Sequence, residues 1–275
     1  LIISILRTYP YLHYFQGYHD ISQVLLLLLP SSLLPTALAR LSILRIRDFM
    51  LPKLDPAIAQ LRLIPDILRA ADPKLYRHLS GTEPFFALSG TLTMYAHDIT
   101  TLGEISRLFD VLLAREPVFS VYMFATIVIS RREELFEVEE DEPEMLHSIL
   151  SKLPKPLDLD RLIADAVELT EKHPPEGLRA WRGISSASVL KTARNINACC
   201  TQTLEDGERW FERQSREIAW ERRRRLVRGM VWKHRRPVGM AGLAVLVGVV
   251  AMLARRETGF GVAGWLAATL ARWVR

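Results

Sequence analysis

Proline interrupts this chain at positions 30, 35, 52, 56, 65, 73, 84, 117 and 154, and the stretches between are rich in leucine. Proline lacks the amide hydrogen that an interior helical residue donates, so each one ends a helix or sits in its first turn. Pro56 and Pro73 follow an aspartate and Pro65 precedes one, as expected near helix starts. Val118–Ser130 alone passes locally for a strand, but its length and the absence of partner strands favour a buried helix. The pattern predicts an all-α domain. With 49% of residues apolar, the chain has enough material for a sizeable core.

Tyr11–Leu29 is the segment with most to say about chemistry. Apolar residues at Tyr14, Tyr18, Ile21, Val24, Leu25 and Leu28 follow helical spacing and predict a buried face. His13, Gln16, Asp20 and Gln23 fall together on another face, and Pro30 closes the segment. Gly17 removes a side chain beside Gln16, which predicts that a partner can approach the backbone there. Tyr14 is expected to pack in the core and Asp20 to make local hydrogen bonds.

Tyr14-Phe15-Gln16-Gly17 resembles the YxQG motif of the TBC domain, the fold of GTPase-activating proteins for Rab GTPases. The longer run through Tyr18-His19-Asp20-Ile21 is most similar to the membrane-anchored subfamily of the endoplasmic reticulum. Further blocks follow in the family's order. They are Leu44–Met50 with Arg47-Asp48-Phe49-Met50, Phe86-Ala87-Leu88-Ser89, Arg107-Leu108-Phe109-Asp110, and Leu150-Ser151-Lys152-Leu153-Pro154. The resemblance covers roughly residues 1–175 and implies a TBC-type helical domain, with Arg107 and Asp110 forming a structural i, i+3 pair.

The resemblance also implies a mechanism. TBC proteins lend a GTPase a glutamine from YxQG and an arginine from an upstream IxxDxxR motif. The nucleotide and magnesium belong to the GTPase, so no cofactor of the chain's own is implied. Hydrolysis needs a positioned water and neutralised charge on the transferring phosphoryl group. An amide donates and accepts hydrogen bonds at once and suits the first task; a cation suits the second. Gln16 fills the glutamine position. Leu1 stands too close to Gln16 for a helix carrying IxxDxxR, and Arg7 lacks that motif around it. The expectation is an N-terminally truncated domain, the last two-thirds of a TBC fold. It would act as an activator rather than as an enzyme with its own substrate, and alone it would be a poor catalyst. The alternative is a membrane-anchored scaffold that binds a Rab without turnover.

The net charge of +5 is unevenly placed. From Arg222 onward there are twelve Lys or Arg against one acid, Glu257, giving +11, so residues 1–221 sum to 5 − 11 = −6. The basic balance therefore belongs to the tail, and nucleic-acid binding by the main domain has little support. Residues 176–236 read as a linker with some helix and a basic juxtamembrane segment. Residues 237–254 carry no charge and read as a transmembrane helix; at about 1.5 Å per residue they reach ~27 Å, near the thickness of an endoplasmic-reticulum bilayer. Arg222–Arg225, Arg228, Lys233, Arg235 and Arg236 precede them, so the positive-inside rule places the main domain in the cytosol. Residues 255–275 are expected to form a short amphipathic tail; its uncharged part, 259–271, is too short to cross as a helix and suits the interface, the alternative being part of a hairpin that returns the C-terminus to the cytosol. With the resemblance, this predicts a protein of the endoplasmic-reticulum or early Golgi membrane.

Other motifs fall away. Gly259-Phe260-Gly261-Val262-Ala263-Gly264 fits GxGxxG only as a string, without the strand a dinucleotide site requires. Cys199 and Cys200 make neither a zinc site nor a disulfide framework by themselves; they read as ordinary thiols or as a lipidation pair. The seven histidines show no paired ligand spacing, and no metal site is predicted. Glu133–Glu144 holds eight acids in twelve residues and reads as a solvated helix end and loop.

Overall fold

A computed structural model of the chain describes residues 1–257; within its last helix the side chains of residues 230–244, 246, 250, 251 and 253–257 are outside that description. Among the described residues there is no strand. The helices are α1 (Ile2–Thr8), α2 (Tyr18–Leu28), α3 (Leu34–Leu44), α4 (Asp55–Leu61), α5 (Leu63–Ala71), α6 (Pro73–His78), α7 (Leu88–Leu92) and α8 (Leu102–Ala114). There follow α9 (Phe119–Ser130), α10 (Arg132–Phe136), α11 (Pro143–Leu150), α12 (Leu159–Lys172), α13 (Val189–Thr192), α14 (Ile196–Thr201) and α15 (Leu204–Glu257). The prolines stand where their chemistry allows. Pro35, Pro56 and Pro73 open α3, α4 and α6, and Pro30 follows the end of α2. Asp72 caps α6 by accepting from the amides of Lys74 and Leu75.

Helix α9 is the segment with strand-like composition. Phe119 and Val121–Val128 are all buried, and the helix packs against α5, α7 and α12. A helix apolar on every side needs neighbours on every side. That is why it lies at the centre of the first compact unit, Leu1–Arg216.

A second centre is polar. Arg47 and Asp48, in the 3-10 turn after α3, are 0% and 1% exposed. Arg47 donates from Nη1 to the Ile43 carbonyl at 3.2 Å, and from Nη2 to the Ala187 carbonyl at 2.5 Å and Thr192 Oγ1 at 2.8 Å. Its guanidinium also lies over the Trp210 ring, 4.9 Å from the centroid. Asp48 accepts from Gln60 Nε2 at 2.8 Å, Ser188 Oγ at 2.5 Å, the Val189 amide at 3.1 Å and Gln214 Nε2 at 3.0 Å. Burial pushes the Arg47 guanidinium down to about 10, with the Asp48 carboxylate opposing that shift.

This centre corrects the expectation of a linker beginning at residue 176. The first part of that segment is integral to the unit, because it carries the partners of Arg47 and Asp48. Trp181, Val189, Leu190 and Phe211 are buried, and the Ala180 amide donates to Asp66 of α5 at 2.6 Å. Arg194 bridges Glu116 and Glu176. Where α15 begins, a Cβ on Gly207 would stand 2.3 Å from Ile43 Cγ2, so only glycine lets this helix approach α3 so closely. The pattern weakened in the sequence because these contacts are made by isolated residues in short helical turns, without a continuous apolar stripe.

The Arg107–Asp110 pairing is also corrected. Arg107 reaches from α8 to Asp160 of α12 at 3.3 Å, while Asp110 is exposed and forms no ion pair among the described residues. Spacing along one helix permits a contact, but an acid on the neighbouring helix lay within reach. All eight acids of 133–144 are exposed; Glu134 pairs with Arg131 and Glu133 with Arg132.

The second unit, Glu217–Arg275, contains the rest of α15. Arg222–Arg225 and Arg228 are exposed along it. The expected span 237–254 is helical in its backbone, and Val245, Val247, Val249 and Met252 are exposed. Most of its other side chains, and all of residues 258–275 with the interfacial stretch, lie outside the described residues. Among the described residues, no helix is long and apolar enough to cross a membrane.

Replacing Asp48 with alanine would strand four buried donors and leave Arg47 without its countercharge. We expect Asp48→Ala to cost about 3 kcal/mol or more, read as a lower urea midpoint, with the transition of the first unit weakened as a whole.

Candidate functional site

Residues 14–20 turn sharply at the entrance to α2. Phe15 is buried, its ring 5.7 Å from Tyr18 and 6.0 Å from Phe49. Tyr18 is fully buried and shares a 2.7 Å hydrogen bond with Ser42. Between these two anchors the backbone reverses at Gly17, whose φ of +104° is one that glycine alone adopts readily. Gln16 is carried out into solvent by that reversal, and its side chain makes no hydrogen bond among the described residues. An exposed amide on a turn pinned at both ends can meet a partner with little loss of order.

The absence of a Cβ at Gly17 has a different cause from the one expected. A Cβ there would stand 2.5 Å from Thr93 Cγ2, so the space is filled by this chain's own turn after α7. Tyr14 also departs from expectation. It is 52% exposed, because the helix starts only at Tyr18 and the helical spacing does not extend back to residue 14. The same late start places His13 and Gln16 on the loop, so they share no helical face with Asp20 and Gln23.

The side-chain hydrogen bond of Asp20 is long-range where a local one was expected, and its partner is His97. Asp20 Oδ1 lies 3.2 Å from His19 Nε2 and Oδ2 3.1 Å from His97 Nδ1. The Tyr14 hydroxyl and His19 Nδ1 share a hydrogen bond of 3.1 Å. Tyr14, His19, Asp20 and His97 thus cluster beside Gln16, with hydrogen bonds joining Tyr14 to His19 and Asp20 to His97. Asp98 lies next to it, reached by Ser89 Oγ at 3.4 Å. Burial raises the Asp98 carboxyl above the ordinary range; His97 and Ser89 oppose that shift and Asp20 adds to it.

Sequence reasoning found Tyr14, Gln16, Gly17 and Asp20 but missed Thr93 and His97. His97 stands 77 residues from Asp20, and nothing in its neighbourhood marks it. Among the described residues no group of three or more His, Cys, Asp or Glu could hold a metal ion. Cys199 and Cys200 are free thiols far along the sequence from this turn, the former accepting from Arg45 at 3.3 Å.

Residues 1–136 match the model of the Rab-GTPase-TBC domain. The chain belongs to the Rab-GTPase-TBC domain family. The matched residues include the Gln16 turn, the Arg47–Asp48 centre and the Thr93–His97 turn. Among known proteins the chain is similar to GTPase-activating protein gyp10 of Schizosaccharomyces pombe, 40% identical over 167 residues, which are 59% of this chain and 45% of the relative. TBC1 domain family member 20 of Bos taurus is 34% identical over 195 residues, 70% of this chain and 48% of the relative. GTPase-activating protein GYP8 of Saccharomyces cerevisiae is 22% identical over 240 residues, 73% of this chain and 48% of the relative. The chain spans about half the length of these relatives.

Two outcomes test this geometry. Gly17→Ala should destabilise by about 2 kcal/mol or more, from both the positive φ and the Thr93 methyl. Placing Thr93→Ser in the same chain should recover the steric part only, visible in a double-mutant cycle. Asp98→Asn should raise the thermal midpoint at pH 7. A carboxyl whose folded value is raised favours the fold when protonated, so stability from this group is greatest in acid and is lost as pH rises through that value; in Asp98→Asn that portion of the pH dependence should vanish.

Proposed function

We propose that the protein stimulates GTP hydrolysis by a Rab-family GTPase of the early secretory pathway, with Gln16 as the amide supplied in trans. The observation that carries this reading is the Gln16 turn: a solvent-exposed amide held between buried Phe15 and Tyr18 on a left-handed glycine. Family membership and relatives named as GTPase-activating proteins support it. In the bound GTPase, the Gln16 carbonyl accepts from the attacking water while its amide donates towards the phosphoryl oxygens. Magnesium and GTP are the partner's.

Phosphoryl transfer also requires a cation, worth roughly 10³–10⁵ in rate when it is an arginine finger. No IxxDxxR run stands before Gln16 within the chain. The alternative reading is a non-catalytic scaffold that binds a Rab without turnover. In both readings the uncharged stretch 237–254 and the basic residues before it hold the protein at an endoplasmic-reticulum or early Golgi membrane, the TBC domain facing the cytosol. The exposed apolar residues Val245, Val247, Val249 and Met252 support that part. Sharing a surface with a lipidated GTPase raises their effective concentration.

The test is single-turnover hydrolysis by a panel of early-secretory Rab GTPases, using the chain and an amino-terminally extended version side by side. Where stimulation is seen, Gln16→Ala should reduce it by roughly 10²-fold without moving the thermal midpoint. Full activity in Gln16→Ala would remove Gln16 from the mechanism; Rab binding without stimulation by either version would establish the scaffold.

A further inference from the structure

The Thr93–His97 turn, which follows α7, touches the Gln16 turn at two points. The Thr93 methyl fills the space beside Gly17, and His97 Nδ1 donates to Asp20 at 3.1 Å. This turn is itself unusual. Met94 and Tyr95 have φ of 51° and 65°, a left-handed conformation that L-residues other than asparagine and aspartate seldom adopt. Such backbone persists only where its surroundings fix it. Here the Tyr95 side chain is fully buried and its hydroxyl donates to the Ser120 carbonyl at 2.8 Å. Thr93 Oγ1 donates to the Ser89 carbonyl at 2.9 Å and accepts from the His97 amide at 3.4 Å.

We infer that His97 is a positioning residue for Gln16: through Asp20 it braces the glutamine turn against the core. The inference rests on the Rab-activating reading of Gln16. The Gln16 side chain has no hydrogen bond of its own among the described residues, so its placement depends on its backbone. That backbone is held from the core side by Phe15 and Tyr18 and from the solvent side by the Asp20–His97 contact. The imidazole is 64% exposed, so it contributes little to the core. An amide that must orient water gains from a pre-set position, since misplacement of a reacting group is costly in rate. His19 lies 3.2 Å from the other oxygen of Asp20 but within the same helix, and cannot tie the turn to a distant element.

The experiment compares His97→Ala, His97→Asn and Gln16→Ala with the parent in the chain and its extended version. Asparagine keeps an N–H donor near the place of Nδ1. His97→Ala should speed amide exchange over residues 13–18 by roughly tenfold while the thermal midpoint holds. It should lower the maximal stimulated rate by a similar factor, with the half-saturating Rab concentration unchanged. His97→Asn should restore most of both. Unchanged exchange in His97→Ala, equal loss in the alanine and asparagine variants, or a loss confined to Rab affinity would each overturn the brace. Exchange reports on the brace alone, and the Gln16→Ala rate reports on the functional reading alone. Faster exchange in His97→Ala with full activity in Gln16→Ala would therefore overturn the assignment through that reading.

Discussion

Segments far apart in the first unit converge on two adjacent buried charges. Arg47 and Asp48 could not be placed in an apolar interior singly, since an isolated buried ion carries a desolvation cost of several kcal/mol, on the order of what a whole domain has to spare. Side by side they are nearly neutral as a pair, and each is supplied with several hydrogen-bond partners. Those partners come from α3, α4, the turn before α13, α13 itself and the start of α15. An apolar contact tolerates small shifts, whereas a carboxylate with four donors fixes where each donor must be. The centre thereby gives the packing of short helices a defined geometry that leucine-rich surfaces alone would leave loose.

The functional turn inherits that definition. Phe49, next in sequence to Asp48, supplies the ring on which Phe15 rests, and the His13 amide donates to the Met50 carbonyl at 2.8 Å. Gln16 is thus held within a few residues of the polar centre, although it points away from it. On its other flank the left-handed turn at Met94 and Tyr95 brings Thr93 and His97 into place. One exposed amide is positioned by a buried charge pair on one side and a strained turn on the other.

The helical fold was legible because it follows from local chemistry. Pro35, Pro56 and Pro73 open helices as their chemistry allows, and Val118–Ser130 was too long and too uniformly apolar for an isolated strand. The motif residues Gln16, Gly17 and Asp20 were legible through resemblance. The reasons for them were not. Gly17 was assigned room for a partner, when Thr93 from the turn after α7 fills that room. Tyr14 was assigned to the core because helical spacing was extended four residues past the true helix start. Arg107 was given a partner on its own helix, and Asp160 on a neighbouring one took it. In this last case a local contact was read where a long-range one forms, because spacing in sequence reports only on neighbours along the chain. The same limit hid the role of residues 176–216, whose contribution is made residue by residue to distant charges.

That arrangement has a consequence for the order in which the molecule is made. Arg47 and Asp48 leave the ribosome early, but Ser188 and Gln214, which satisfy Asp48, are 140 and 166 residues further on. Until those residues emerge, the nascent chain holds two charged groups that cannot be buried without partners, and closing so large a loop is slow. Helices of the amino-terminal half can form during synthesis, yet their central polar seam must stay hydrated. The glutamine turn, resting on Phe49, acquires its final setting only after the opening turns of α15 have been translated. A polypeptide stopped at residue 175 would hold the whole recognition motif and lack the means to fix it in place.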